Sequence, residues 1–249
     1  MHSKESQHWD FWNEKYRTGD LKQDRLFTAT RNAVVRELER FKIMRGRIIE
    51  VACGTGRIGQ ILAGKYFYVG VDLSPAAIEI ARQNIPQATF VNADFLQWKA
   101  GESFENALFI DAIACFRDQP LAMQKVNALL PEGGNLILTT INPFVYKRMS
   151  WIGPPAEGQA RNWLSGRKLH QLLRESHFRI QRSYTIVPLG DSGVLRWINA
   201  GKINRLLSYL IPASWITRFK ETIGLGAVRV VVAQKIPLYR DPTSIDSKP

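Results

Sequence analysis

A β-branched run leads into an acid and then two closely spaced glycines at Ile48-Ile49-Glu50-Val51-Ala52-Cys53-Gly54-Thr55-Gly56-Arg57. Glycine carries no Cβ, so this stretch can turn tightly and bring backbone against a ligand. More acids follow apolar runs downstream: Asp72 after Tyr66 to Val71, Asp94 within Ala88 to Phe95, and Asp111 after Ile110. Asp94 and Phe95 suit the edge and face of an adenine, the acid accepting from the exocyclic amine while the ring stacks. Glu50, Asp72, Asp94 and Asp111 gathered along one edge would attract a cation and repel a diphosphate. A sulfonium cofactor with an amino group and a ribose diol fits that requirement.

The elements that must position these residues alternate strand, glycine loop, helix, strand. That is the start of a doubly wound α/β sheet, whose ligand sits in the crevice at the carboxyl ends of the strands. Gly54-Thr55-Gly56-Arg57-Ile58-Gly59 is also a literal G-x-G-x-x-G, with Asp72 near the distance of a dinucleotide fold's ribose acid. A nicotinamide-dependent oxidoreductase is therefore the competing enzyme reading. A third reading is a non-catalytic binding module.

With these residues in place, the chain resembles the class I S-adenosylmethionine-dependent methyltransferases. E-x-A-C-G-T-G-R is a frequent form of their first motif and V-D-L-S-P-A-A-I-E-I-A-R of their second, and Leu129-Leu130-Pro131-Glu132-Gly133-Gly134 resembles the turn before their fifth strand. The likeness runs from about Trp9 to Lys235. It implies a Rossmann-like seven-stranded sheet in the order 3-2-1-4-5-7-6, with the last strand antiparallel and helices on both faces. It implies S-adenosyl-L-methionine as cofactor, with Gly54 and Gly56 close to its methionine part, Cys53 a small residue in the same loop, and Glu50 supporting it from below. Asp72, followed by Leu73, would hold the ribose hydroxyls, Asp94 the adenine amine, and Phe95 would lie near the ring. Ile110 and Asp111 would end the fourth strand beside the methyl group. Arg31 sits about where quinone-type members keep an arginine for the methionine carboxylate.

Many relatives acting on hydroxyls follow the fourth strand with an acid and a histidine; here Asp111-Ala112-Ile113-Ala114-Cys115-Phe116 lacks that pair. No catalytic residue is assigned. A nitrogen, a thiolate or an already ionised acceptor needs no general base. His170 falls in a helix and His177 in the turn after it, whereas His8, beside Trp9, Phe11 and Trp12, is a candidate for a lid. Residues 1–45 then form an N-terminal helical lid and 46–249 the methyltransferase domain. No His, Cys and carboxylate grouping has metal-ligand spacing, and Cys53 and Cys115 behave as small hydrophobes.

A length of 249 residues and 45% hydrophobic content suit one α/β domain with an elaboration. Two cysteines outside any disulfide pattern, and no leading apolar run, point to the cytoplasm. No segment approaches the ~18 apolar residues of a membrane span. Lysines and arginines against aspartates and glutamates number 17 to 16 in residues 1–139 and 17 to 6 in 140–249. The excess of +11 (17 − 6) thus falls where this family shapes its acceptor site.

In that region Arg167 to Ser176 reads as a helix, Phe178 to Val187 as a strand and Ala227 to Gln234 as the final strand. A helical insertion, 193–224, lies between the strands. Ile203, Leu206, Leu207 and Leu210 fall at i, i+3, i+4 and i+7; Pro212 breaks that stripe before a second helix begins at Trp215. The insertion reads as a cover whose apolar face packs over the acceptor pocket. Its basic residues also suit peripheral contact with an anionic membrane at the inner face, and so a small-molecule or lipid-linked, anionic acceptor. Basic patches with aromatics also bind nucleic acid, but no RNA-binding module or base-gripping Asn-Pro-Pro-Tyr motif accompanies this one.

Overall fold

Strands β1 (Arg47–Val51), β2 (Phe67–Asp72), β3 (Thr89–Asn92), β4 (Asn106–Ile110), β5 (Asn135–Ile141), β6 (Phe178–Pro188) and β7 (Gly226–Lys235) form one sheet, ordered β3-β2-β1-β4-β5-β7-β6. In this computed structural model, residues 14, 25–43, 46–150, 152–154, 161–209 and 211–237 are described. Pairing is parallel throughout except around β7, which runs antiparallel to β5 and β6. Order and direction are those expected from the sequence.

The helices are α1 (Arg25–Arg40), α2 (Gly59–Leu62), α3 (Pro75–Asn84), α4 (Gln119–Leu129), α5 (Pro143–Tyr146), α6 (Gly166–Glu175), α7 (Gly193–Ile198), α8 (Gly201–Ser208) and α9 (Ala213–Thr222). A strand sends alternate side chains to opposite faces, and the two neighbours Ile48 and Ile49 divide accordingly. Ile49 joins Phe109, Leu136, Val126 of α4 and Leu169 of α6 on one face, while Ile48 joins Leu108, Val34 of α1 and Ile78 of α3 on the other. With helices on both faces, β4 is buried at every position, as a central parallel strand must be.

Local signals set the helix starts. The Ser74 hydroxyl accepts from Ala77 N (3.1 Å) with Pro75 at the first turn of α3, and Asp118 accepts from Leu121 N (2.9 Å) ahead of α4. His177 ends α6 at φ 59°, the left-handed position that commonly closes a helix.

Because β7 is antiparallel to both neighbours, β6 points the same way as β1 and β4. Its carboxyl end at Pro188 therefore lies on the same sheet edge as theirs. The insertion leaves from that edge and returns to it: Asn142, just beyond β5, donates from Nδ2 to Gly224 O and Gly226 O, both at 2.8 Å. It contains three helices, α7 to α9, where periodicity alone marked two. The side chains of Lys202, Ile203, Leu206, Leu207 and Leu210 lie outside the described residues, as do His8, Trp9, Phe11 and Trp12 of the expected lid.

Candidate cofactor site

The carboxyl ends of β1, β2 and β4 surround a cavity of about 230 Å³. Glu50, Cys53, Gly54, Asp72, Ile110 and Asp111 all line it. Two of its wall residues, Ala52 at φ 54° and Asp111 at φ 53°, hold left-handed backbone without being glycine. Such conformations cost on the order of 1–3 kcal/mol each and cluster where a site imposes its own geometry. Asp111 is held there by three bonds to one residue. Its N–H donates to Thr139 O (3.0 Å) and Oγ1 (3.1 Å), and the Thr139 hydroxyl donates to Asp111 Oδ1 (3.0 Å).

Asp72 ties two loops together. Its Oδ2 accepts from Gly54 N at 2.8 Å and its Oδ1 from Ser74 N at 2.9 Å. A carboxylate has about four lone-pair sites, so Asp72 keeps acceptor capacity beyond these bonds and the one from the Leu73 backbone. The Gly54 amide, by contrast, is taken by an acid and not presented to a phosphate. Glu50, 3% exposed, accepts from the Tyr68 hydroxyl. Tyr68 fits only because Gly59 has no side chain: a Cβ there would stand 2.8 Å from its ring. The third glycine of the G-x-G-x-x-G pattern thus serves core packing.

Other expected residues lie elsewhere. Gly56, at φ 73°, faces the core, where a Cβ would meet Ile85 Cδ1 at 2.8 Å. The Asp94 carboxylate closes its own turn, accepting from Leu96 N and Gln97 Nε2, each at 2.9 Å. Phe95 is buried in the core, edge to face with Phe116 at 6.2 Å and below the Lys125 ammonium at 5.4 Å. Leu73 offers its carbonyl to Asn92 Nδ2 at 2.8 Å. Arg31 is part-exposed on α1 and, like Gly56, Leu73, Asp94 and Phe95, is absent from the cavity wall.

Sequence reading missed Phe27, Arg57 and Cys115, all on the wall. The Arg57 guanidinium lies 3.5 Å from the centroid of the Phe27 ring. It is the one cationic side chain on the wall among the described residues. Burial pushes the Cys115 thiol up to about 12, with Asp72 and Asp111 adding to the effect. It stays protonated and is no nucleophile.

Residues 16–183, most of the chain, match the family described as a methyltransferase domain. The chain belongs to the class I S-adenosylmethionine-dependent methyltransferases. It is 30% identical over 122 residues to a malonyl-[acyl-carrier protein] O-methyltransferase of Paenibacillus, covering 45% of this chain and 44% of that one. It is 32% identical over 103 residues to a phthiotriol/phenolphthiotriol dimycocerosates methyltransferase of Mycobacterium leprae, covering 39% and 38%. The matched segments thus span less than half the length of these curated relatives. Among solved structures, the Burkholderia thailandensis 1,6-didemethyltoxoflavin-N1-methyltransferase, with S-adenosylhomocysteine bound, superposes at a TM-score of 0.60 over 93% of this chain and 88% of that one. At 14% identity this is a likeness of fold.

The cofactor of this methyltransferase family is S-adenosylmethionine, and the cavity's electrostatics fit a cation of that kind. Desolvation raises Glu50 to about 8, against the lowering effect of the Tyr68 bond, and Asp72 raises it further. Burial also raises Asp72, against the lowering effect of its backbone bonds to Ser74, Gly54 and Leu73. Two acids facing one cavity, each driven toward its neutral form, gain from an incoming positive charge and resist a diphosphate.

Proposed function

We propose that the protein is an enzyme that transfers a methyl group from S-adenosylmethionine to a small-molecule or lipid-linked, anionic acceptor. One observation carries this reading: the buried pair Glu50 and Asp72 at the end of β1 and β2, facing a cavity whose wall has a single cationic residue among the described residues. When bound, the cofactor supplies an electrophilic methyl on a positively charged sulfur. Glu50, oriented by Tyr68, supplies negative charge beneath the methionine part. Asp72 offers its remaining acceptor positions to a ribose diol while fixing the glycine loop. Arg57, stacked on Phe27, is the wall cation to which a carboxylate would bind.

Ile110, Asp111 and Cys115 form the wall nearest an acceptor. Positioning supplies much of the acceleration in such a transfer. An acceptor that presents an amine, a thiolate or an already ionised nucleophile needs no general base at this wall. The names of the relatives, a malonyl-[acyl-carrier protein] and phthiotriol dimycocerosates methyltransferase, support a small or lipid-linked acceptor. The basic C-terminal part supports an anionic one.

Isothermal titration with S-adenosylhomocysteine, NAD and NADP tests the reading. Saturable binding of the first alone is expected. Binding of a dinucleotide without S-adenosylhomocysteine would overturn it in favour of an oxidoreductase.

A further inference from the structure

The polarity of α9, the last helix of the insertion, is inverted relative to a helix packed on a core. Helix α9 has no buried residue. Trp215 and Phe219 on it and Ile223 at its C-cap, spaced by four, are 68%, 64% and 52% exposed, and Ile211 just before it is 43% exposed. That spacing makes one stripe on a helix surface, and here the stripe faces outward. Trp197 of α7 and Tyr209 after α8 are exposed as well, at 72% and 80%.

Polar anchors fix the orientation. The Thr185 hydroxyl donates to Glu221 O (2.7 Å) and Val187 N to Glu221 Oε1 (3.2 Å). Lys220 Nζ reaches Asn204 Oδ1 (2.8 Å), Ile198 O (2.9 Å) and Asn199 Oδ1 (3.2 Å). The polar face of α9 is thereby fastened to β6 and to the segments joining α7 and α8. Rotating the aromatics inward would break all five bonds.

Charge selects the partner. Residues 193–224 hold five cations, Arg196, Lys202, Arg205, Arg218 and Lys220, against the single acid Glu221. Arg196, Arg205 and Arg218 are exposed beside the apolar residues. A helix with tryptophan and phenylalanine on one face and arginine next to it lies flat in the boundary between acyl chains and anionic headgroups. A folded protein partner would need a matching groove, whereas a bilayer needs only depth and negative charge.

We propose that the insertion 193–224 docks the protein on an anionic phospholipid bilayer, with Trp197, Trp215 and Phe219 entering the interface and Arg196, Arg205 and Arg218 on the headgroups. The insertion stands on the same sheet edge as the cofactor cavity, so docking brings that edge of the sheet close to the lipid. This surface does not depend on the methyl-transfer reading. Vesicle binding and S-adenosylhomocysteine binding can fail separately.

The test is flotation of the full chain with phosphatidylcholine vesicles, alone and with about one third phosphatidylglycerol. The protein is expected to float with the anionic vesicles and to remain below with the neutral ones. Trp215→Ala with Phe219→Ala should lower partition at least about tenfold. Arg196→Glu, Arg205→Glu and Arg218→Glu together should lower it about a hundredfold, from roughly fivefold per cation. S-adenosylhomocysteine titration verifies folding; should the aromatic pair prove unfolded, the charge-reversed triple carries the test. Absence of flotation with anionic vesicles, or flotation unchanged in a folded variant, overturns the proposal. So does sedimentation showing that the aromatic stripe is consumed in a dimer of this chain.

Discussion

Replacing Glu50 by glutamine removes the charge while keeping an oxygen for the Tyr68 hydroxyl. With its carboxyl raised to about 8, Glu50 is protonated in the ligand-free protein at neutral pH. A cation beneath which it must ionise binds at the expense of releasing that proton. The ionised fraction grows from about 1% near pH 6 to about 50% near pH 8, so affinity for S-adenosylmethionine should rise roughly fiftyfold over that interval and level off above it. Titration calorimetry on the wild type and on Glu50→Gln, with the same ligand and buffers, measures the ratio of the two affinities. That ratio cancels the titration of the ligand's own amino group. The ratio should climb with pH in the wild type's favour. A ratio flat from about pH 6 to 8 would refute the assignment of Glu50 as the acid that meets the donor's charge. Folding stability supplies a second arm of opposite sign. A carboxyl raised on folding stabilises fully below its unfolded value of 4.5, and that contribution is lost as pH climbs toward about 8. Ligand-free wild type should therefore lose a few kcal/mol relative to Glu50→Gln across that window, read by urea denaturation.

Two further substitutions probe the site's supports. Arg57→Met should weaken S-adenosylhomocysteine binding about 10- to 100-fold, the range of a charge-assisted hydrogen bond. Binding of 5′-methylthioadenosine, which has no carboxylate, should be unchanged; equal losses for both ligands would deny Arg57 that role. Gly70→Ala places a Cβ 2.7 Å from Cys53 Sγ and 2.8 Å from Phe90 Cδ1. It should lower unfolding free energy by about 1–3 kcal/mol, and an unchanged urea midpoint would contradict that close approach.

The strands were legible as β-branched runs separated by helix-forming stretches, and their order was legible as what the family resemblance implies. Phe178 to Val187 and Ala227 to Gln234 were placed within a residue or so of β6 and β7. The acids at strand ends were legible as types, but their partners were not. Each Asp94 oxygen accepts from its own turn, Leu96 N and Gln97 Nε2, contacts decided by local backbone geometry. The resemblance pointed to Arg31 alone as the source of positive charge, and Arg57 came into view only with the fold, which puts Phe27 against its guanidinium. The strain at Ala52 and Asp111 left no mark in residue type, since neither is a glycine.

The insertion reveals the deeper limit. A four-residue spacing from Trp215 to Ile223 establishes that α9 has an apolar stripe, and periodicity is the same whichever way the stripe turns. The expected cover over the acceptor pocket was read from Ile203, Leu206, Leu207 and Leu210, whose side chains lie outside the described residues. For α9, Thr185, Val187 and the two asparagines Asn199 and Asn204 decide the orientation, because their hydrogen bonds to Glu221 and Lys220 are available only when the polar face looks inward. Burying Trp215 and Phe219 against the protein would forfeit those bonds and leave a lysine and a glutamate to be solvated afresh. In water the observed orientation leaves a large apolar surface exposed, a feature that marks an interaction site in a folded protein. Fixed polar anchors, with apolar gain left for a partner, make the outward stripe the stable arrangement only where an apolar layer meets it.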